Sequence, residues 1–90
     1  MKNTYLISYE HDETFHDYAP LIEKIKSFDD WCHPLYPIWF VKTELTANQI
    51  YEKIKPLLRD KDRVFIMNII ETSDRQGYLS KNFWNWLRKN

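Results

Sequence analysis

Apolar and polar residues alternate over residues 4–9, with Tyr5, Ile7 and Tyr9 in one set and Leu6 and Ser8 in the other. A period of two in strand-favouring residues predicts a first strand. From Tyr18 the period lengthens. Tyr18, Leu21, Ile22, Ile25 and Phe28 recur at helical spacing, with Asp17 as N-cap and Pro20 in the first turn, where its missing N–H costs nothing. Asp29 and Asp30 end this helix. Residues 31–36 and 38–43 then read as neighbouring strands joined near Pro37. Pro34 and Pro37 cannot donate ladder hydrogen bonds, so the first of the two belongs at a sheet edge.

Thr46 is placed to cap a second helix whose inner stripe is Ile50, Ile54, Leu57 and Leu58. Pro56 falls inside this pattern and predicts a kink or an early stop. Residues 63–70 form an almost unbroken apolar run whose length and β-branching favour a buried strand. Ser80 opens a short last helix bearing Phe83, Trp84 and Leu87. The order is βαββαβ plus a C-terminal helix. That pattern predicts an α+β protein, a single ferredoxin-like domain over residues 1–90 with both main helices on one face of an antiparallel sheet. A repeated phrase supports two βαβ halves: Glu23-Lys24-Ile25-Lys26 returns 29 residues later as Glu52-Lys53-Ile54-Lys55. Its charges are expected to mark matching solvent faces.

Aromatic residues make up 17% of the chain, enough to supply much of the buried area that a 90-residue protein lacks. Helices on one side leave the other side of the sheet open. If Tyr5, Tyr9, Trp39 and Phe40 divide between the two faces, a large apolar surface stays in water, and a homodimer through the open face or the strand edges is expected.

Formal net charge is zero, but residues 1–36 carry three Lys against seven Asp and Glu, while residues 37–90 carry ten Lys and Arg against six acids. Within the basic half, Lys53, Lys55, Arg59, Lys61 and Arg63 form a patch able to attract phosphate, or simply a solvated helix face. The single cysteine, Cys32, cannot form an internal disulfide and has no partner at metal-ligand spacing. No apolar stretch reaches about 18 residues and no charged-then-apolar leader precedes the first strand. These features give the expectation of a cytoplasmic protein with no membrane partner.

The densest polar segment follows the first strand: Glu10, His11, Asp12, Glu13, His16 and Asp17. Carboxylates at a strand end suit a hard cation such as magnesium, or a solvated loop that also caps the first helix. The two histidines lack the i, i+4 spacing that presents a pair to zinc. No serine sits in a nucleophile elbow, and the lone Gly77 excludes a glycine-rich phosphate loop. His33 reads as a hydrogen-bonded, partly buried ring, and Lys42 as an outward strand charge that discourages edge pairing or snorkels over aromatics. An RNA-recognition sheet is disfavoured, because residues 37–42 contain no small residue among the aromatics.

The runs Thr4-Tyr5-Leu6-Ile7-Ser8-Tyr9, Trp31-Cys32-His33, Ile38-Trp39-Phe40-Val41-Lys42-Thr43 and Gly77-Tyr78-Leu79-Ser80, with Trp84 and Leu87, resemble the SinR-like family of small bacterial and phage proteins. These are not the helix-turn-helix repressor of similar name. The family is similar in fold to the small ferredoxin-like subunit of the CRISPR spacer-integration machinery. The resemblance implies the ferredoxin-like fold and a dimer, and it implies a strand one ending in Tyr-Asp, whose paired aspartates can hold a metal for phosphodiester cleavage. Here the matching residues are Tyr9 and Glu10, and the longer side chain moves the carboxylate by one methylene.

Three functions follow as expectations. The first is a dimeric binding or interaction module of phage, defence or toxin–antitoxin type, without strong catalysis and with a protein or nucleic acid as further partner. The second is a magnesium-dependent endonuclease of RNA or DNA in which Glu10 carboxylates from two subunits bind metal at a dimer interface and His11 or Asp12 assists. The third is nucleic-acid binding without cleavage through the basic patch.

Overall fold

A computed structural model describes residues 2–10, 18–69 and 74–89. Their elements are β1 (Asn3–Glu10), α1 (Ala19–Lys26), β2 (Asp30–Leu35), β3 (Ile38–Thr43), α2 (Ala47–Ile54), a 3₁₀ turn (Lys55–Leu57), β4 (Arg63–Asn68) and α3 (Lys81–Arg88). The four strands form one antiparallel sheet in the order β2-β3-β1-β4. This small α+β architecture is compatible with the expected ferredoxin-like arrangement. The proline-bearing β2 lies at an edge, and its ladder with β3 slips between Cys32 and Leu35, around Pro34. The hairpin between them turns at Tyr36-Pro37, whose peptide bond is cis.

The helices start and stop for local reasons. Thr46 and Gln49 form a reciprocal capping box at the start of α2, the Thr46 hydroxyl accepting from the Gln49 N–H at 3.1 Å and the Gln49 side-chain oxygen accepting from the Thr46 N–H at 2.9 Å. Pro56 then ends regular α-helix, and the chain tightens into the 3₁₀ turn. Ser80 caps α3 by accepting from the Phe83 N–H at 3.2 Å. Asp17, the expected cap of α1, lies outside the described residues; Tyr18 occupies the N-cap position and makes no side-chain cap.

The core lies between one face of the sheet and helices α1 and α2. Tyr5, Ile7 and Tyr9 of β1, with Trp39 and Val41 of β3, meet Leu21, Ile25, Phe28, Ile50 and Ile54. Ile7, Ile25, Val41, Ile50 and Ile54 are completely buried, each worth roughly 1.5–3 kcal/mol of transfer from water. The repeated phrase has the meaning its spacing suggested: Ile25 and Ile54 point inward, while Glu23, Lys26, Glu52, Lys53 and Lys55 are exposed.

The second face of the sheet departs from expectation. It is not left open across its width, because α3 lies over its β2–β3 half. Phe83 packs on Phe40 with ring centroids 5.0 Å apart. Lys42, expected to point outward, is instead buried, donating from Nζ to the Trp86 and Lys89 carbonyls at 2.6 Å each and sitting 4.3 Å from the Trp86 ring centroid. The expected partner surface is corrected with it. Tyr5, Tyr9 and Trp39 belong to the helix-side core, and Phe40 is covered by α3, so none of the four is available to a second chain. Alternation had placed them on two faces correctly, but could not show that both faces are covered at those positions.

Candidate functional site

Uncovered apolar surface is found on the remaining β1–β4 half of that face. The pairing puts Leu6 opposite Met67, Ser8 opposite Phe65 and Glu10 opposite Arg63, all on the side away from α1 and α2. Phe65 is 61% exposed and Met67 44%. Burial along β4 alternates with a period of two, Val64 and Ile66 turning toward the core and Phe65 and Met67 toward solvent. The unbroken apolar run had suggested a strand buried on both sides. One side is instead wet, because β4 is the outermost strand and α3 stops short of it.

At the end of β1 this strip opens into a cleft of about 500 Å³ lined by Ser8, Tyr9, Glu10, Tyr36, Pro37, Arg63, Val64 and Phe65. Glu10 is exposed at its rim. The Arg63 guanidinium donates from Nη1 to the Asp62 carbonyl at 3.1 Å and the Asp60 carbonyl at 3.4 Å, which fixes it at the start of β4. Burial pushes the Tyr9 phenol above its ordinary range.

His11 and Asp12, the other acids and bases proposed for catalysis, lie outside the described residues, as do Glu13, His16 and Asp17. Among the described residues no three His, Cys, Asp or Glu side chains come together in a way that would hold a metal ion. Glu10 has the cationic Arg63 as its cross-strand neighbour. The other groups of the expected metal site, His11, Asp12 and the carboxylate of a second subunit, are not among the described residues.

The five basic residues are not gathered at one place. Lys53 lines a different cleft, of about 440 Å³, with Lys24, Phe28, Asp29, Thr43 and Glu44, whereas Arg63 lines the cleft at the end of β1. Between them Arg59, Lys61 and Arg63 alternate with Asp60 and Asp62. The Asp62 carboxylate accepts from the Arg59 N–H at 2.8 Å and from the Tyr18 hydroxyl at 3.4 Å. A dense positive field is not built there.

His33 stacks on Trp39 with centroids 3.8 Å apart and planes 13° from parallel, and Trp31 closes the group at 5.5 Å. Partial burial, and then the nearby Lys26 ammonium, hold the imidazole below its ordinary 6.5. A base lowered by folding binds protons less readily in the folded chain. Stability should therefore fall as pH drops from about 6.5 through the lowered midpoint and level off below it. His33→Phe keeps a stacked ring and removes the proton. Urea unfolding across this pH range is expected to show a shallower acid loss for the variant than for the parent; equal slopes would assign the loss elsewhere.

The class these observations define is a small α+β domain with a four-stranded antiparallel sheet, and among its described residues no helix is long and apolar enough to cross a membrane. No family model, curated protein or solved structure matches the chain.

Proposed function

We propose that this chain is a ferredoxin-like binding module of the SinR-like kind, and that its first partner is a second copy of itself, joined along β4. The observation that carries the reading is an exposed edge strand without the usual defences. β2, the other edge, has a proline and a slipped ladder. β4 runs Arg63-Val64-Phe65-Ile66-Met67-Asn68 with one charge at its start, no proline and two large exposed apolar side chains. Among the described residues no strand pairs with the outer side of β4, and an apolar edge of this kind is a template for another strand. Antiparallel pairing of β4 with its own copy brings the uncharged centre of each strand together and keeps the two Arg63 side chains at opposite ends.

Light scattering should give twice the 11.1 kDa chain mass over micromolar concentrations. Met67→Lys places a charge on each strand near the two-fold axis and should shift the protein to monomer with little change in unfolding midpoint. A monomeric parent, or a Met67→Lys dimer as tight as the parent's, would remove the basis of the proposal.

A further inference from the structure

The cleft at the end of β1 brings together exposed aromatic and charged side chains from three parts of the chain. Its floor is Ser8, Tyr9 and Glu10. One wall is the Tyr36-Pro37 turn, and the other is Arg63, Val64 and Phe65 at the start of β4. Because β1 lies between β3 and β4, the walls stand two strand spacings apart, about 9–10 Å between backbones.

Each wall supplies an aromatic side chain. Tyr36 is 64% exposed and Phe65 61%, so most of their apolar area is left in water by the folded chain. Aromatic faces in this position suit a base, which stacks on them whatever its identity. The rim adds opposite charges side by side, Glu10 and Arg63 being cross-strand partners. An ionised carboxylate only accepts hydrogen bonds and has two oxygens to do so. A guanidinium donates, and matches phosphate; the two carbonyl bonds that Arg63 makes among the described residues use Nη1.

A ligand that fits has a flat ring, one edge with two adjacent N–H donors and an anionic group. Among nucleotides this describes guanine. Its N1–H and N2–H₂ lie next to each other and match both oxygens of one carboxylate. Adenine and cytosine place a ring acceptor on that edge, which a carboxylate repels. We propose that this cleft binds a guanine nucleotide, the base held between Tyr36 and Phe65 with its donor edge on Glu10 and its phosphate on Arg63. The same chemistry is offered by a free nucleotide or by a guanosine within a single strand, and the cleft is open enough to admit either.

Calorimetric titration of the full chain tests the assignment, with guanosine monophosphate, adenosine monophosphate, guanosine and a short uridine-rich RNA containing one guanosine as the four probes. Guanosine monophosphate should bind saturably and at least about tenfold more tightly than adenosine monophosphate. Glu10→Gln, which replaces one acceptor oxygen by a donor, should erase most of that preference. Arg63→Gln should weaken the nucleotide and leave guanosine unchanged, and Phe65→Leu should weaken all four probes. Much tighter binding of the RNA than of the monophosphate identifies a strand as the source, and equal binding identifies the free nucleotide. The inference fails if neither guanosine monophosphate nor the RNA binds up to millimolar concentration, if guanine and adenine nucleotides bind equally, or if Glu10→Gln leaves the preference intact. All three substitutions are at exposed positions, so a folded variant is expected and is checked by circular dichroism. Met67→Lys should keep nucleotide binding, which separates this result from the test of the β4 dimer.

Discussion

Lys42→Ala is expected to release α3 from the sheet and to destabilise the protein by about 2–4 kcal/mol. The Lys42 ammonium donates to the carbonyls of Trp86 and Lys89 at the C-terminal end of α3, the Trp86 carbonyl also accepting from the Lys89 N–H at 3.3 Å. Hydrogen bonds to a charged donor contribute roughly 1.5–3 kcal/mol each. The desolvation of an ammonium that is no longer there offsets part of this, which brings the net effect to the stated range. α3 has little else to hold it: one buried ring, Phe83, and a lead-in over residues 74–78 that is wholly exposed. Amide exchange is the decisive measurement. Protection should vanish across α3 while β1 and β3 stay protected; uniform loss along the chain would mean that α3 is part of one cooperative unit.

Lys42→Met separates the donor from the stem. Methionine keeps apolar contact with Trp86 but cannot reach the carbonyls with a proton, so it should retain part of the lost stability. Burial holds the Lys42 ammonium below its usual 10.5, although Asp30 across the strand pair draws it back up. Charging therefore opposes folding below the lowered midpoint, and this penalty fades as pH rises through that midpoint toward 10.5. The parent should gain stability over that alkaline interval, and the gain should be absent from Lys42→Met.

Trp39→Ala should cost about 3–5 kcal/mol, the usual range for truncating a buried large aromatic. For a 90-residue protein with a total stability of roughly 5–13 kcal/mol, that is enough to unfold a large fraction of the chain at 37 °C. Trp39 is 2% exposed, lies within the helix-side core and supports the rings of His33 and Trp31. Phe65→Ala on the uncovered face should change stability by less than about 0.5 kcal/mol. Urea unfolding of the two variants separates the roles of the two faces. A Trp39→Ala protein as stable as its parent but altered in mass would return Trp39 to the partner surface that its sequence pattern had suggested.

The contrast between Trp39 and Phe65 shows where reading the chain succeeds. Both are aromatic, both lie in strands, and alternation gives each a face. Alternation cannot say what lies on that face. Trp39 is covered by α1 and α2, Phe40 by a helix that begins more than forty positions later, and Phe65 by nothing among the described residues. Lys42 was misjudged for the same reason, since a lysine in a strand is ordinarily a solvated charge and its carbonyl partners are 44 and 47 residues away. The candidate cleft was legible only in part. Glu10 stood out as the end of a strand, but Tyr36, Arg63 and Phe65 come from two other elements and share no motif with it.

What the sequence determined by itself was local: the first strand from a period of two, the last from an apolar, β-branched run, three helices from helical spacing, the Thr46 and Ser80 caps, the break at Pro56 and the edge position of β2. These depend on backbone sterics and hydrogen bonding among neighbours, which a few consecutive residues are enough to specify. The tertiary structure alone decided that α3 folds back over half of the second face, that Lys42 is buried beneath it, and that exposure concentrates on β4 and at the end of β1. Coverage depends on which distant surfaces meet, and periodicity carries no information about distance along the chain.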